Sequence, residues 1–165
     1  MTTRASLPRL GVDIGRVIIH GDGPDTSFIG GTDEQAMRAP PIQGAFAALA
    51  RLCQLFAGRV WLVSKCGKRI EERSRRWLEV QGFFGATGIP PANLVFCRER
   101  SMKAPICRDL GIGWFVDDRV DVLVPMTGIV RHRFLFGAGM SNVPGVVAVP
   151  TWSVAEAAIA ATVER

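Results

Sequence analysis

The sequence predicts a single α/β domain in which helices cover both faces of a parallel sheet, a three-layer α/β/α arrangement. Short apolar segments of strand character alternate with segments of helical periodicity along the chain. This alternation is typical of parallel sheets joined by right-handed crossovers. The chain has 165 residues, 48% of them hydrophobic, which suits one core. We therefore interpret residues 1–165 as one domain.

The first predicted element is a buried strand over residues 10–19, an apolar run rich in β-branched residues. Residues 20–41 follow it and are too rich in glycine, proline and aspartate for regular core structure. A loop of this length inside a compact domain is usually functional. We therefore interpret residues 20–41 as a flap or active-site loop.

The remaining elements follow from periodicity and from glycines that end helices. Helices are predicted over residues 43–57, 68–81, 104–110, 120–126 and 153–163, and strands over residues 59–63, 93–97, 114–116, 128–136 and 146–149. Ser153 is expected to cap the last helix, because Glu156 stands three residues later, as in a capping box.

The charge is positive, with a formal value of +5 from 17 arginines and three lysines against 15 acids. The densest basic stretch, residues 68–76, is interleaved with Glu71 and Glu72, and Glu72 stands four residues before Arg76. This spacing favours a solvated helix face over a nucleic-acid surface. A positive balance also suits a small anionic substrate, whose local concentration it raises.

Four cysteines lie 13, 31 and 10 residues apart without a Cys-x-x-Cys pair, so neither a zinc site nor a disulfide framework is indicated. The N-terminal residues contain no apolar signal core, and no apolar run approaches the length of a membrane span. We expect a cytoplasmic protein with reduced, mostly buried cysteines and no membrane partner.

Polar side chains follow three of the predicted strands. Asp13, Ser64 and the pair Asp117 and Asp118 each stand at the carboxyl end of an apolar run. In open Rossmann-like sheets these ends share one edge, and ligands bind there at the point where the strand order reverses. Three separate segments therefore deliver polar groups to one predicted site.

The motifs resemble those of the haloacid dehalogenase (HAD) superfamily, in the order which that family uses. The matching segments are VDIGRV at residues 12–17, WLVS at 61–64, SMKAP at 101–105 and FVDDR at 115–119. The Asp-Asp-Arg ending and the late TWS segment at 151–153 look most like the small deoxynucleotidase-type branch. About 20 residues separate the first strand from the next helix, which implies no large cap domain.

The resemblance implies an aspartyl nucleophile and a magnesium site. Asp13 would be the nucleophile, and Mg²⁺ would be bound by Asp13, the backbone carbonyl of Gly15 and one of Asp117 or Asp118, of which we favour Asp118. A hard cation prefers such oxygen ligands. It also offsets the repulsion between a carboxylate and a phosphate.

The resemblance also assigns the residues that hold the substrate. Ser64 would bind a phosphoryl oxygen, and Lys103 would neutralise charge shared by nucleophile and phosphate. Lys65 is a candidate substitute for Lys103, and the Arg16 guanidinium could fork onto a phosphate or carboxylate of the ligand.

Gly15 stands where phosphatases of this superfamily carry a second acid, which protonates the leaving group and activates water. Three alternatives follow. Asp22 or Asp25 of the flap supplies the acid; the substrate needs no leaving-group proton, as with an acyl phosphate or a carbon–phosphorus or carbon–halogen bond; or the protein binds phosphate and turns it over poorly.

We therefore expect a magnesium-dependent hydrolase that acts on a small phosphorylated molecule through Asp13. The alternative from another class is a catalytically weak binding or regulatory protein of the same fold. A third hypothesis is a nucleic-acid-binding module that uses Arg69, Arg73 and Arg76. The sequence indicates neither the substrate's identity nor the oligomeric state.

Overall fold

A six-stranded parallel sheet in the order β3-β2-β1-β4-β5-β6 organises the molecule. The structure, a computed structural model, describes residues 7–21 and 29–163. The strands are β1 Leu10–Val12, β2 Val60–Lys65, β3 Leu94–Cys97, β4 Trp114–Asp117, β5 His132–Phe136 and β6 Val146–Val149. The predicted parallel sheet is confirmed, and its strand order reverses at β1.

Helices cover both faces of this sheet and complete the predicted three layers. They are α1 Asp33–Met37, α2 Ala45–Leu55, α3 Lys68–Val80, α4 Phe83–Thr87, α5 Lys103–Leu110, α6 Val120–Leu123 and α7 Trp152–Val163. The core residues of α2, α3, α4 and α7 belong to one apolar cluster, and those of α5 and α6 belong to a second. No large cap is evident, because α1 is the only helix that described residues form between β1 and α2.

The predicted strand over residues 10–19 was too long, because β1 ends at Val12. The chain then turns back on itself, and the N–H groups of Ile18 and Ile19 both donate to the carbonyl of Ile14, at 2.8 and 3.1 Å. Ile14, Ile18 and Ile19 are fully buried, as the apolar run requires. The run is apolar because its residues are buried. After Val12, however, these residues form a buried turn and not a continued strand.

Other elements differ from the prediction as well: β2 extends to Lys65, so Ser64 lies inside it, and the helices α1 and α4 were not predicted. The strand expected over residues 128–136 begins only at His132. A turn precedes it, since the N–H of Val130 donates to the carbonyl of Met126. The last helix begins at Trp152, so Ser153 lies inside it. The hydroxyl of Thr151 instead accepts from the N–H of Val154, at 3.3 Å, as a helix cap does.

The returning part of the predicted flap is fastened to α3. The Arg73 guanidinium, only 7% exposed, donates to Asp33 and to the carbonyls of Ile29 and Gly31. Asp22 and Asp25, the candidate acids of this loop, lie outside the described residues. Because Arg73 is buried, both the expected solvated face over residues 68–76 and the hypothesis of a nucleic-acid surface are wrong at this residue.

Two further observations concern the cysteines and the length of the apolar helices. All four cysteines are free and buried. In the part of the chain that the structure describes, no helix combines the length and the hydropathy needed to span a bilayer.

A glycine in the central strand fixes the packing beneath the site, and we predict that Gly11→Ala destabilises the protein by about 1–3 kcal/mol. A Cβ at position 11 would lie 2.5 Å from the Phe115 ring, which is fully buried. Urea unfolding monitored by circular dichroism would measure the loss.

Gly113→Ala is the matched control, because a Cβ at that position meets no atom within 4 Å. We expect its unfolding midpoint to stay close to that of the parent protein. Equal midpoints for Gly11→Ala and the parent would contradict the packing argument.

Candidate functional site

The carboxyl ends of β1, β2 and β4 bring the predicted site residues together. β1 pairs with β2 on one side and with β4 on the other, so the reversal of strand order lies between their ends. A pocket opens at this edge, where ligands bind in sheets of this kind. The predicted site residues all line it: Asp13, Gly15, Arg16, Ser64, Lys65, Lys103, Asp117 and Asp118.

Lys103 is the most constrained residue of the pocket. It is the first residue of α5, yet its side chain is only 3% exposed. Its ammonium group donates to Asp13 Oδ1 at 3.0 Å and to Asp117 Oδ2 at 2.8 Å. The same nitrogen lies 5.8 Å from the centre of the Phe115 ring. Lys103 is therefore an interior charge that joins two strand ends, and not an ordinary surface lysine.

Three carboxylates form a cluster with the composition of a hard-cation site. One oxygen from each of Asp13, Asp117 and Asp118 lies within 4.8 Å of the others. Asp13 and Asp117 are buried, and Asp118 is half-buried. Oxygen donors in such numbers fit Mg²⁺ or Ca²⁺ and not the softer metals that prefer thiolate or imidazole. The side chains present therefore fit the expected Mg²⁺.

The crowding of negative charge shifts the ionisation of this cluster. Burial, followed by the charges of Asp13 and Asp117, raises the pKa of Asp118 to about 8. Burial and Asp13 raise the pKa of Asp117 to about 6, a smaller change because Lys103 and the N–H of Arg119 stabilise its charge. Burial alone would lower the pKa of Lys103, but the two carboxylates outweigh it and hold this pKa above its usual value. Lys103 therefore stays charged, and burial with mutual repulsion makes the carboxylate cluster lose its protons at a higher pH than isolated aspartates do.

The turn after Asp13 directs Gly15 and Arg16 to the pocket. Arg16 has a φ of 63°, in the left-handed region that a side chain adopts only at a cost of about 1 kcal/mol. Its N–H donates to the carbonyl of Ile19 at 2.8 Å, which holds this conformation. Arg16 is half-buried and lines the pocket.

Ser64 and Lys65 reach the pocket from the end of β2. Ser64 is 1% exposed and pairs in register with Phe96 of β3. Lys65 is half-buried and is the last residue of the strand. A parallel strand alternates its side chains between the two faces. Both residues nevertheless line the pocket, because they lie at the edge where the faces meet.

Sequence reasoning assigned no site role to Arg100 and Arg119, which also line the pocket. Arg119 follows the acid pair directly, and its N–H donates to Asp117 Oδ1 at 3.1 Å. Arg100 begins a short 3₁₀ turn, Arg100–Met102, that leads into Lys103. Their positions in the sequence could have identified them as site residues, since each arginine closely follows the carboxyl end of a strand.

We predict that Asp118→Asn stabilises the metal-free protein, and does so more at pH 8.5 than at pH 5. Asp118 has a pKa of about 8 in the folded protein and near 3.8 in the unfolded chain. Between these values the folded state binds more protons, so Asp118 lowers stability as the pH rises. Asparagine removes that loss, so the stabilisation by this substitution should be larger at pH 8.5 than at pH 5.

Urea unfolding in EDTA at both pH values would measure the difference. Asp109→Asn is the control, since Asp109 is an exposed carboxylate on α5 with 73% of its side chain accessible. A stability difference for Asp118→Asn that does not change with pH would refute the electrostatic account of this cluster.

No family model matches the chain, and no curated protein matches it either. The resemblance to the HAD superfamily therefore rests on the four motifs in the sequence. Any function must be argued from the pocket itself, as its geometry and charge allow.

Proposed function

We propose that this protein is a magnesium-dependent hydrolase of small phosphorylated molecules, with Asp13 as the nucleophile. The observation that carries the proposal is the cluster of Asp13, Asp117 and Asp118 around the buried Lys103. The three carboxylates and the Lys103 ammonium group line one pocket, at the edge of the sheet where the strand order reverses. Membership of the HAD superfamily, which the motif order suggests, and a cytoplasmic location are parts of the same proposal.

The proposed reaction has two displacements on phosphorus. A carboxylate oxygen of Asp13 attacks the phosphoryl group, and the bond from phosphorus to the leaving oxygen breaks. Water then attacks the phosphorus of the aspartyl phosphate, which releases inorganic phosphate and restores Asp13. Splitting hydrolysis in this way replaces one difficult step by two easier ones.

The surrounding residues would manage charge during both displacements. Asp13, Asp117 or Asp118 and the carbonyl of Gly15 would hold Mg²⁺, which supplies positive charge beside the phosphoryl oxygens. Lys103 already donates to Asp13 and would stay charged as negative charge moves onto the phosphoryl oxygens. The hydroxyl of Ser64 would donate to one of these oxygens.

Gly15 limits which substrates react well. It carries no side chain that could give a proton to the leaving oxygen, an assistance typically worth about 10²–10⁴-fold in rate. Substrates whose leaving group is stable as an anion, such as acyl phosphates, escape this limit. Phosphate esters of ordinary alcohols would need a proton from solvent or from another acid.

Gly15 also favours the second candidate, a binding or regulatory protein of the same fold with little turnover. Metal and phosphate binding use the carboxylates, Lys103 and a backbone carbonyl, none of which depends on a side chain at position 15. Binding and hydrolysis are therefore separable in this pocket. Calorimetry that detects magnesium-dependent phosphate binding without turnover would favour this candidate.

We predict that the purified protein releases phosphate from a panel of phosphorylated metabolites with Mg²⁺, and that EDTA stops the release. Asp13→Asn should lower the rate by more than about 10³-fold, because the amide is not a nucleophile. A colorimetric phosphate assay measures both effects, and Asp109→Asn serves as a control with the same change of charge away from the pocket. Absence of turnover with every substrate would count against a hydrolase.

The missing acid makes a second prediction about leaving groups. The parent protein should hydrolyse p-nitrophenyl phosphate and acyl phosphates much faster than alkyl phosphates. Gly15→Asp should raise kcat for alkyl phosphates by about 10²–10⁴-fold and change the p-nitrophenyl rate far less. A plot of log kcat against leaving-group pKa measures this, and identical slopes for the two proteins would contradict the assignment.

A further inference from the structure

The pocket is unusually rich in cations for a site that holds one phosphate. Besides Lys103, its lining includes four basic residues, which are Arg16, Lys65, Arg100 and Arg119. Only three carboxylates among the described lining residues oppose them. Bound Mg²⁺ would add two further positive charges, so the three carboxylates are balanced by the metal and Lys103 before any substrate enters.

Carboxylates of the protein itself hold Lys103 and Arg119. Lys103 donates to Asp13 and Asp117. Arg119 holds Asp121 through two hydrogen bonds of 2.8 Å. Lys65, in contrast, forms no ion pair with any of the described residues, although it is half-buried at the pocket wall. Its ammonium group is therefore available to an anion in the pocket.

The pocket offers little to an apolar substrate. Val122 is the only apolar side chain among the described lining residues, and none of them is aromatic. Pockets that hold a flat apolar group such as a nucleobase are usually lined by aromatic and apolar side chains. The lining thus favours recognition by charge over recognition of a base.

Arg100 lines the same pocket as Lys65 and is half-buried there. It belongs to a short 3₁₀ turn, Arg100–Met102, that leads directly into Lys103. Its guanidinium and the Lys65 ammonium group are therefore both placed at the wall of the pocket that holds Lys103.

From these observations we infer that the substrate carries a second anionic group, a phosphate or a carboxylate, which Arg100 and Lys65 bind while the reacting phosphoryl group lies against Asp13 and Lys103. This inference rests on the proposed function for the reacting group. Arginine binds both kinds of anion through paired N–H donors. Arg100 and Lys65 would then be specificity-determining residues.

The test compares three hexose derivatives that differ in the second group. Glucose 6-phosphate has none, 6-phosphogluconate has a carboxylate, and glucose 1,6-bisphosphate has a second phosphate. We expect kcat/KM to be at least about 10-fold higher for one or both of the compounds with a second anionic group than for glucose 6-phosphate. One charge-assisted hydrogen bond contributes about that factor. The better of the two identifies the second group.

Variants connect the preference to the named residues. Arg100→Gln and Lys65→Gln should each reduce the preference for the second anion by at least about 5-fold, mainly through KM. Arg108→Gln is the matched control, because Arg108 is an exposed arginine of α5 that does not line the pocket. It should retain the full preference, which excludes a general effect of net charge.

If none of the three compounds is hydrolysed, binding measurements still distinguish the hydrolase proposal from the second-anion site. Calorimetry on the parent protein with Mg²⁺ then measures affinity for the same three compounds, since they stay intact without turnover. Tighter binding of the two-anion compounds without turnover in the parent protein would overturn the hydrolase and support the second-anion site. Equal affinities, or no binding of any compound, would overturn the second-anion site even if simple phosphate esters are hydrolysed.

Discussion

The buried ion pairs of Lys103 are the interaction on which the rest of the site depends. One ammonium group joins the end of β1 through Asp13, the end of β4 through Asp117 and the first turn of α5. A charge in such a position is tolerated only because both partners are present, and removal of one partner from a buried pair typically costs about 3–5 kcal/mol. The same contacts that fix the backbone also fix the orientation of the carboxylates toward the pocket.

The cluster around this lysine contains features that lower stability. Three carboxylates share one region of low exposure, and their repulsion with burial raises the pKa of Asp118 to about 8. The adjoining turn adds a left-handed Arg16. Unfavourable features of this kind gather at functional sites, where a rigid surrounding structure holds them. Here the surrounding structure is the parallel sheet and the two apolar clusters that cover it.

Gly15 and the cationic lining give the pocket a particular chemical character. Charge stabilisation is abundant, whereas proton donation from position 15 is absent. Such a site would act on substrates that bring their own good leaving group or their own extra negative charge. The proposed function and the inference about a second anion both depend on this property. The pocket has more basic than acidic residues in the lining that the structure describes, and it has no acid at position 15.

The sequence by itself predicted the six strands alternating with the longer helices, the parallel sheet and most of the polar residues at its edge, but it missed the short helices α1 and α4. These predictions follow from local periodicity and from the rule that strand ends share an edge, and Asp13, Ser64 and Asp117 illustrate them. Lys103 was expected only from the resemblance to the HAD motifs. Tertiary structure alone decided where β1 ends, because the apolar residues 14–19 suit a buried turn as well as a strand. It alone buried Arg73 against Asp33 and brought Arg100 to the pocket, since contacts between distant segments leave no periodic signal. It also decided the protonation of Asp118, which depends on charges that only the fold places together.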